Sequence, residues 1–263
     1  MTRAIGAELL VNETPASMAR VIYLGVPTFG MVSIRWHAHL MQLQNPLNRS
    51  VFHGYGVGYE VGQARNYLVE QALHWQNDAG HTVSHVFFVD DDVLVPPYAL
   101  HVLLSRNRPI VSGLYYAKTA APQPLLLTGP SEGTPASVPH NQVVECYAHG
   151  MGCTLIEIGV FRALLESGLV EYETLPNGQR LPQLFKTTRD QVTGDGSQTV
   201  VYNETEDVYF LKRAAQAGFT AAVDTSVFGF HWDQKAGRAY PVETWEHYVK
   251  TGALVLPGQA VAA

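Results

Sequence analysis

Cysteine is scarce in this chain of 263 residues: Cys146 and Cys153 are the only two. Two thiols seven positions apart, with no second pair, make neither a disulfide framework nor a zinc site, so a reducing cytoplasm is the simplest compartment. Long apolar runs are also missing. No stretch reaches the roughly 18 apolar residues of a membrane span, and the opening MTRAIGAELLVNETPASMAR lacks an apolar core followed by a cleavage signal. Positive charge is in short supply: 17 Lys and Arg against 23 Asp and Glu give −6. That balance leaves no electrostatic footprint for nucleic acid, although a local basic groove stays open.

Several catalytic signatures are absent as well. There is no G-x-x-x-x-G-K-[ST], which excludes a P-loop, and neither H-E-x-x-H nor G-x-S-x-G occurs. The glycines of GYGVGYEVG (Gly54, Gly56, Gly58, Gly62) miss the G-x-G-x-x-G spacing and do not follow the first strand directly.

What is present reads as a globular α/β chain, 46% hydrophobic. RVIYLGVPTFG (20–30) is a strand feeding a loop, Ser33–Leu43 has helical spacing, and Gly62–Gly80 is a helix closed by Asn-Asp-Ala-Gly. HVFFV (85–89) is a strand, PPYALHVLLSRN (96–107) a helix with proline in its first turn, and PIVSGLYYA (109–117) a strand. Strand and helix alternating over short connections predict a mainly parallel, Rossmann-like sheet flanked by helices. The second half is less regular. Residues 118–142 read as loop, a helix is expected near Gly159–Ser167, and 173–199 reads as a long polar loop. Glu204–Gly218 reads as a helix and FTAAVDTSVFGFHW as a last strand. The expected organisation is an extension (1–18), one domain over 19–250 with halves at 19–128 and 129–250, and a tail (251–263).

The acidic run is the most informative feature. HVFFVDDDVLVPP (85–97) delivers Asp90, Asp91 and Asp92 to the end of an apolar strand. Buried carboxylates without partners are costly, so a cation belongs there. Continued strand alternation would point Asp90 and Asp92 one way, into the crevice at the carboxyl edge of a parallel sheet, and Asp91 the other way. Two carboxylates there suit Mg²⁺ or Mn²⁺. The competing reading is a turn that caps the following helix.

These blocks together carry a resemblance. ARNYLVEQAL (64–73), HVFFVDDDVLVPPYAL (85–100) and PIVSGLYYAK (109–118) resemble the nucleotide-binding half of GT-A glycosyltransferases, particularly compact bacterial and phage-type members. AHGMGCTLIEIGVFRAL (148–164) is similar to their acceptor-side glycine segment, and TEDVYFLKRAAQAGFTAAVDTSVFGFHW (205–232) to their acidic helix and His-bearing strand. The resemblance spans about 20–232 and implies a GT-A domain that transfers a sugar from a UDP- or GDP-sugar. It implies Asp90, Asp92 and His231 as ligands of Mn²⁺ (or Mg²⁺), with imidazole favouring manganese. It implies Pro27, Thr28, Arg65, Asp90 and Asp91 around the nucleotide, with Asp91 turned toward the scaffold. Asp207 is then the general base and Glu206 positions the acceptor, with His149, Gly150, Gly152 and Trp232 on the acceptor side. Residues 183–203 would form a lid.

Each assignment has a plainer counterpart: a solvated charge for Arg65, a core histidine for His231, and helix N-terminal acidity for Glu206 and Asp207. The acceptor stays open among a glycan, a lipid-linked sugar, a protein and a modified DNA base. The expected location is the cytoplasm, the host's for a phage-encoded protein. Two other classes compete: a nucleotidyltransferase or metal-dependent phosphate hydrolase, and a nucleotide- or glycan-binding protein without activity.

Overall fold

A computed structural model describes residues 19–130, 133–135, 137–175, 178, 180–193, 199–241 and 254–255. The extension and most of the tail lie outside the described residues. In chain order the strands are β1 (Ala19–Thr28), β2 (Ser50–Val57), β3 (Thr82–Val89), β4 (Val93–Leu94), β5 (Ile110–Leu114), β6 (Leu126–Leu127), β7 (Val138–Pro139), β8 (Val143–Cys146), β9 (Ala148–His149), β10 (Cys153–Glu157), β11 (Tyr172–Thr174), β12 (Arg180–Pro182), β13 (Thr188–Thr193), β14 (Thr199–Glu204), β15 (Ala221–Phe228), β16 (Phe230–Asp233), β17 (Arg238–Tyr240) and β18 (Leu254–Val255). The helices are α1 (Ile34–Met41), α2 (Val61–His74), α3 (Ala99–Ser105), α4 (Ile158–Glu166) and α5 (Glu206–Gln216).

Seven strands form the central sheet in the order β2-β1-β3-β10-β5-β15-β8. β1, β2, β3, β5 and β15 run one way, and β10 and β8 run against them. The sheet is therefore mainly parallel and covered by helices on both faces, the expected fold class. Strand alternation sorts the core into two layers. Val21, Tyr23, Val86 and Phe88 pack with Leu68 and Val69 of α2, Phe161 of α4 and Phe210 of α5. Ile22, Leu24, Phe87 and Val89 pack on the other face with Trp36 of α1 and Leu100 and Leu103 of α3.

One stretch without an assignment is a strand, and two readings of the sequence need correction. The glycine-rich stretch after Arg49 is β2, an edge strand paired with β1 along its length. Its glycines admit neighbours: a methyl group at Gly54 would lie 2.0 Å from the Tyr23 hydroxyl oxygen, and one at Gly56 would lie 3.0 Å from the Ala64 Cβ. The polar stretch after residue 172 is two hairpins, β11–β12 and β13–β14, because its Thr, Val and Tyr residues satisfy one another's backbone groups across the ladder. The expected lid thus contains the hairpin β13–β14, whose tip lies outside the described residues. The last strand is broken at Gly229 into β15, in the main sheet, and β16, which leaves it to pair with β4 and β17.

The chain order places a switch between β1 and β3. β2 lies on one side of β1, and the chain then crosses back to put β3 on the other. Ligands of open α/β sheets bind outside the carboxyl ends of strands at such a point. Here those ends carry Pro27-Thr28 and Asp90–Asp92.

A Gly54→Ala substitution should destabilise the fold by about 1–3 kcal/mol, because the Tyr23 hydroxyl, hydrogen-bonded to Gln71 at 2.5 Å, cannot yield without losing that partner. Urea unfolding would measure it. Unchanged stability would show that β2 is not held against Tyr23.

Candidate active site

The aspartate run does not continue β3. The strand ends at Val89 and the three residues form a turn, with the Val93 amide donating to the Asp90 carbonyl at 3.0 Å. Neighbours hold this turn through its backbone. Trp36 Nε1 donates to the Asp90 carbonyl (2.7 Å), the Asp90 amide donates to the Gly152 carbonyl (3.2 Å), and the Trp232 amide donates to the Asp92 carbonyl (2.6 Å). The expected alternation therefore fails. Asp90, Asp91 and Asp92 all line the switch-point crevice, together with Pro27, Thr28, Phe29, Tyr59 and Val61. Asp91 faces the crevice rather than the scaffold, and its carboxylate takes a hydrogen bond from the Thr28 side chain. Burial, with Asp92 and Asp90 close by, holds its carboxyl above the usual range.

Asp90 is half-buried and tied into the protein by Arg65. Both of its oxygens accept from Arg65 Nη2, at 2.7 and 2.9 Å, while Arg65 Nη1 pairs with Glu206 at the start of α5. Arg65 is only 1% exposed. It was expected to meet the nucleotide, but its two terminal nitrogens serve protein carboxylates. Each Asp90 oxygen thus meets one Arg65 hydrogen bond and keeps a further lone pair. Burial raises the carboxyls of Asp90 and Glu206, with Arg65 opposing it in each case. The next residue, Asn66, clamps the Phe185 backbone in both directions at 2.8 Å, tying α2 to the segment after β12.

Asp92 has two cationic or potentially cationic neighbours. Lys118 Nζ pairs with its Oδ2, and His231 Nε2 lies 3.3 Å from its Oδ1. Burial alone would raise the Asp92 carboxyl, but His231 and Lys118 outweigh it and hold the carboxyl below its ordinary value. Antiparallel pairing of β16 with β4, which sets His231 opposite Val93, brings the histidine here from far along the chain. His231 Nδ1 is 3.0 Å from the Tyr116 carbonyl, which can only accept, so Nδ1 carries a hydrogen. Nε2 then faces a carboxylate oxygen and needs either a proton or a metal ion there.

That pairing is the test of a divalent cation. Among the described residues no cluster of three or more His, Cys, Asp or Glu groups is placed to hold a metal. Asp92 and His231 do fit as a two-residue oxygen–nitrogen pair, which suits an ion that keeps waters and substrate phosphate oxygens. Lys118 is the resident competitor at Asp92, and nothing in the sequence pattern had singled it out.

A second pocket contains Asp207, the residue after Glu206. Leu125, Leu126, Leu127, Thr134, Ala148, His149, Gly150, Thr205, Asp207 and Val208 line it. It brings Asp207, His149 and Gly150 together. Asp207 Oδ1 accepts from the Val208 amide (2.8 Å) and from the Thr205 hydroxyl, so helix α5 orients the carboxylate. Gly150 lines the pocket and Gly152 does not, and the Cβ side of each is closed. The Tyr115 hydroxyl fills the space beside both, accepting from the Gly152 amide at 2.8 Å, and a Cβ at Gly152 would also meet an Asp90 oxygen at 2.9 Å. Trp232 is not in this pocket. Its ring joins the α1–α3 layer under the guanidinium of Arg35, 4.5 Å from the ring centroid. Phe29 and Tyr59 at the crevice were missed by sequence reading; aromatics bracketing the ends of β1 and β2 were the available signal.

No family model matches the chain, and no curated protein matches it. It is similar to a solved structure, the crystal structure of A197 from STIV, at 16% identity and a TM-score of 0.48, covering 82% of this chain and 87% of that one. No helix among the described residues is long and apolar enough to cross a membrane.

Replacing Arg65 by Met should cost about 3–5 kcal/mol, since the partly buried Asp90 and Glu206 lose the shared counter-charge of a guanidinium that is itself closed to water. Arg65→Lys should recover only part of this, because one ammonium cannot span both carboxylates. Urea unfolding of both variants checks it. Near-native stability of Arg65→Met would disprove the bridge.

Ionised Asp92 stabilises the fold above its unfolded value of about 3.9, and this contribution is lost as pH falls through its lower folded value. Lys118→Met should raise the Asp92 carboxyl, so the loss begins at higher pH. Carboxyl ¹³C NMR titration reads this directly; no change would assign the hold on Asp92 to His231 alone.

Proposed function

We propose that the protein is a metal-dependent glycosyltransferase that takes a sugar from a nucleotide-diphosphate donor. The observation that carries the reading is the pairing of two pockets by one buried bridge. A crevice with an acidic turn at the sheet's switch point is joined through Asp90–Arg65–Glu206 to a pocket with an oriented carboxylate, Asp207. The motif resemblance of the four sequence blocks supports the same reading.

In this reading the donor diphosphate lies at the crevice. Asp91 and Asp92 would repel it, so a cation must stand between them. Asp92 and His231 would hold Mn²⁺ or Mg²⁺, which supplies charge stabilisation for the departing diphosphate. Asp90 fixes Arg65 beside this ion and keeps lone pairs that could join its shell. Phe29, 83% exposed, and Tyr59 offer aromatic faces to the base. The acceptor hydroxyl enters the second pocket, where Asp207 takes its proton as its oxygen bonds the anomeric carbon and the bond to the diphosphate breaks. Glu206, committed to Arg65, ties this base to the donor side. The protein would act in the cytoplasm.

Incubation with UDP- and GDP-sugars and Mn²⁺ should release the nucleoside diphosphate, and Asp92→Asn should abolish that turnover. Pyrophosphate release would identify a nucleotidyltransferase, and metal-dependent binding without turnover would identify a binding protein. Phe29→Ala should weaken donor binding about two- to tenfold with no loss of stability, measured by calorimetry and thermal unfolding. Unchanged affinity would remove Phe29 from the base site.

A further inference from the structure

Within the second pocket, His149 has a feature that proton transfer by Asp207 does not require. It is only 3% exposed, and its Nδ1 lies 2.9 Å from the Gly150 carbonyl. A carbonyl only accepts, so Nδ1 carries the hydrogen and Nε2 presents a bare lone pair. Burial lowers the basicity of the ring, which keeps it neutral. Nε2 is buried without a hydrogen-bond partner. An unmet polar atom of this kind is destabilising by itself, so something that enters the pocket should satisfy it.

The rest of the lining describes the occupant. Nε2 and the Asp207 carboxylate both accept hydrogen bonds, so the occupant must donate. Asp207 is negative and none of the residues lining the pocket is Lys or Arg, so an anion is disfavoured. Apart from Gly150 and the hydroxyl-bearing Thr134 and Thr205, the remaining wall is aliphatic: Leu125, Leu126, Leu127, Ala148 and Val208. The β6–β9 ladder, with Leu126 opposite His149, fixes the apolar wall against the polar end.

We propose that this pocket receives a neutral, hydroxyl-bearing acceptor with an aliphatic body, one hydroxyl donating to His149 Nε2 and another lying at Asp207. The assignment of this molecule as acceptor rests on the glycosyl-transfer reading above; its chemical class rests on the pocket itself. Sugar phosphates, lipid diphosphates that place their charge here, and nucleic-acid backbones do not suit the site.

The probes are hexyl glycosides of glucose, galactose and mannose below micelle formation, the free sugars, and glucose 6-phosphate, titrated by calorimetry into the full chain. At least one hexyl glycoside should bind, with its free sugar about tenfold weaker or worse and the sugar phosphate showing no binding. Thr134→Trp fills the pocket without touching the core and should abolish binding. His149→Phe keeps the ring shape and removes the lone pair, together with the Nδ1 bond to the Gly150 carbonyl, which still accepts from the Ser112 and Thr154 hydroxyls. It should weaken binding about tenfold while thermal stability holds or rises. Failure of every hexyl glycoside to bind, survival of binding in Thr134→Trp, preferential binding of the sugar phosphate, or a parallel loss of stability in His149→Phe would each overturn the proposal. Donor binding separates the two readings. A UDP- or GDP-sugar that binds while every glycoside fails removes only this assignment, whereas glycoside binding without donor binding removes the transferase and leaves a glycoside site.

Discussion

A guanidinium sealed from water between two carboxylates ties together everything that touches it. Arg65 comes from α2, Asp90 from the end of β3 and Glu206 from the first turn of α5. None of the three charges is tolerable in that position alone, because desolvation exceeds what any one of them recovers without its partners. The bridge therefore fixes where α5 begins relative to the acidic turn. Asp207, one residue along, inherits its place from that constraint, and so does the partition of the site into an acidic crevice and a second pocket.

The sheet topology provides the same coupling at larger scale. β10 and β15 come from the later half of the chain, yet β10 is inserted between β3 and β5, and β15 lies beyond β5. The halves cannot separate without breaking a continuous ladder. β16 then leaves the sheet at Gly229 and pairs with β4, delivering His231 to Asp92. Residues that read as two remote motifs meet because strand pairing carries backbone hydrogen bonds that a buried segment cannot forgo.

The apolar blocks, the helices α2 and α5 and the alternation of strand with helix were legible, since periodicity reports directly which face is buried. The edge strand β2 was hidden by its own glycines: Gly54 is there to admit the Tyr23 hydroxyl, a reason that lies in a neighbouring strand. The hairpin β13–β14 read as loop because its polar residues gave no core signal. At the site, the importance of the aspartates was legible but their division of labour was not. Asp90 became the partner of Arg65 and Asp91 joined it at the crevice because the strand ended one residue before the run began, breaking the alternation that the assignment relied on. Lys118 carried no signal; a lysine after a Tyr-Tyr-Ala segment has no local reason to be read as the counter-charge of Asp92.

By itself the sequence determined that this chain buries a two-faced, mainly parallel sheet and that three carboxylates gather at the end of one of its strands. Burial periodicity and like-charge repulsion are local quantities that need no partner to be read. The tertiary structure alone decided which charge answers each carboxylate: Arg65 for Asp90, Lys118 and His231 for Asp92, and a crevice for Asp91. Coulomb attraction depends on distance in space and on exclusion of water, and for His231 and Asp92 the distance is set by a strand pairing between segments more than a hundred residues apart.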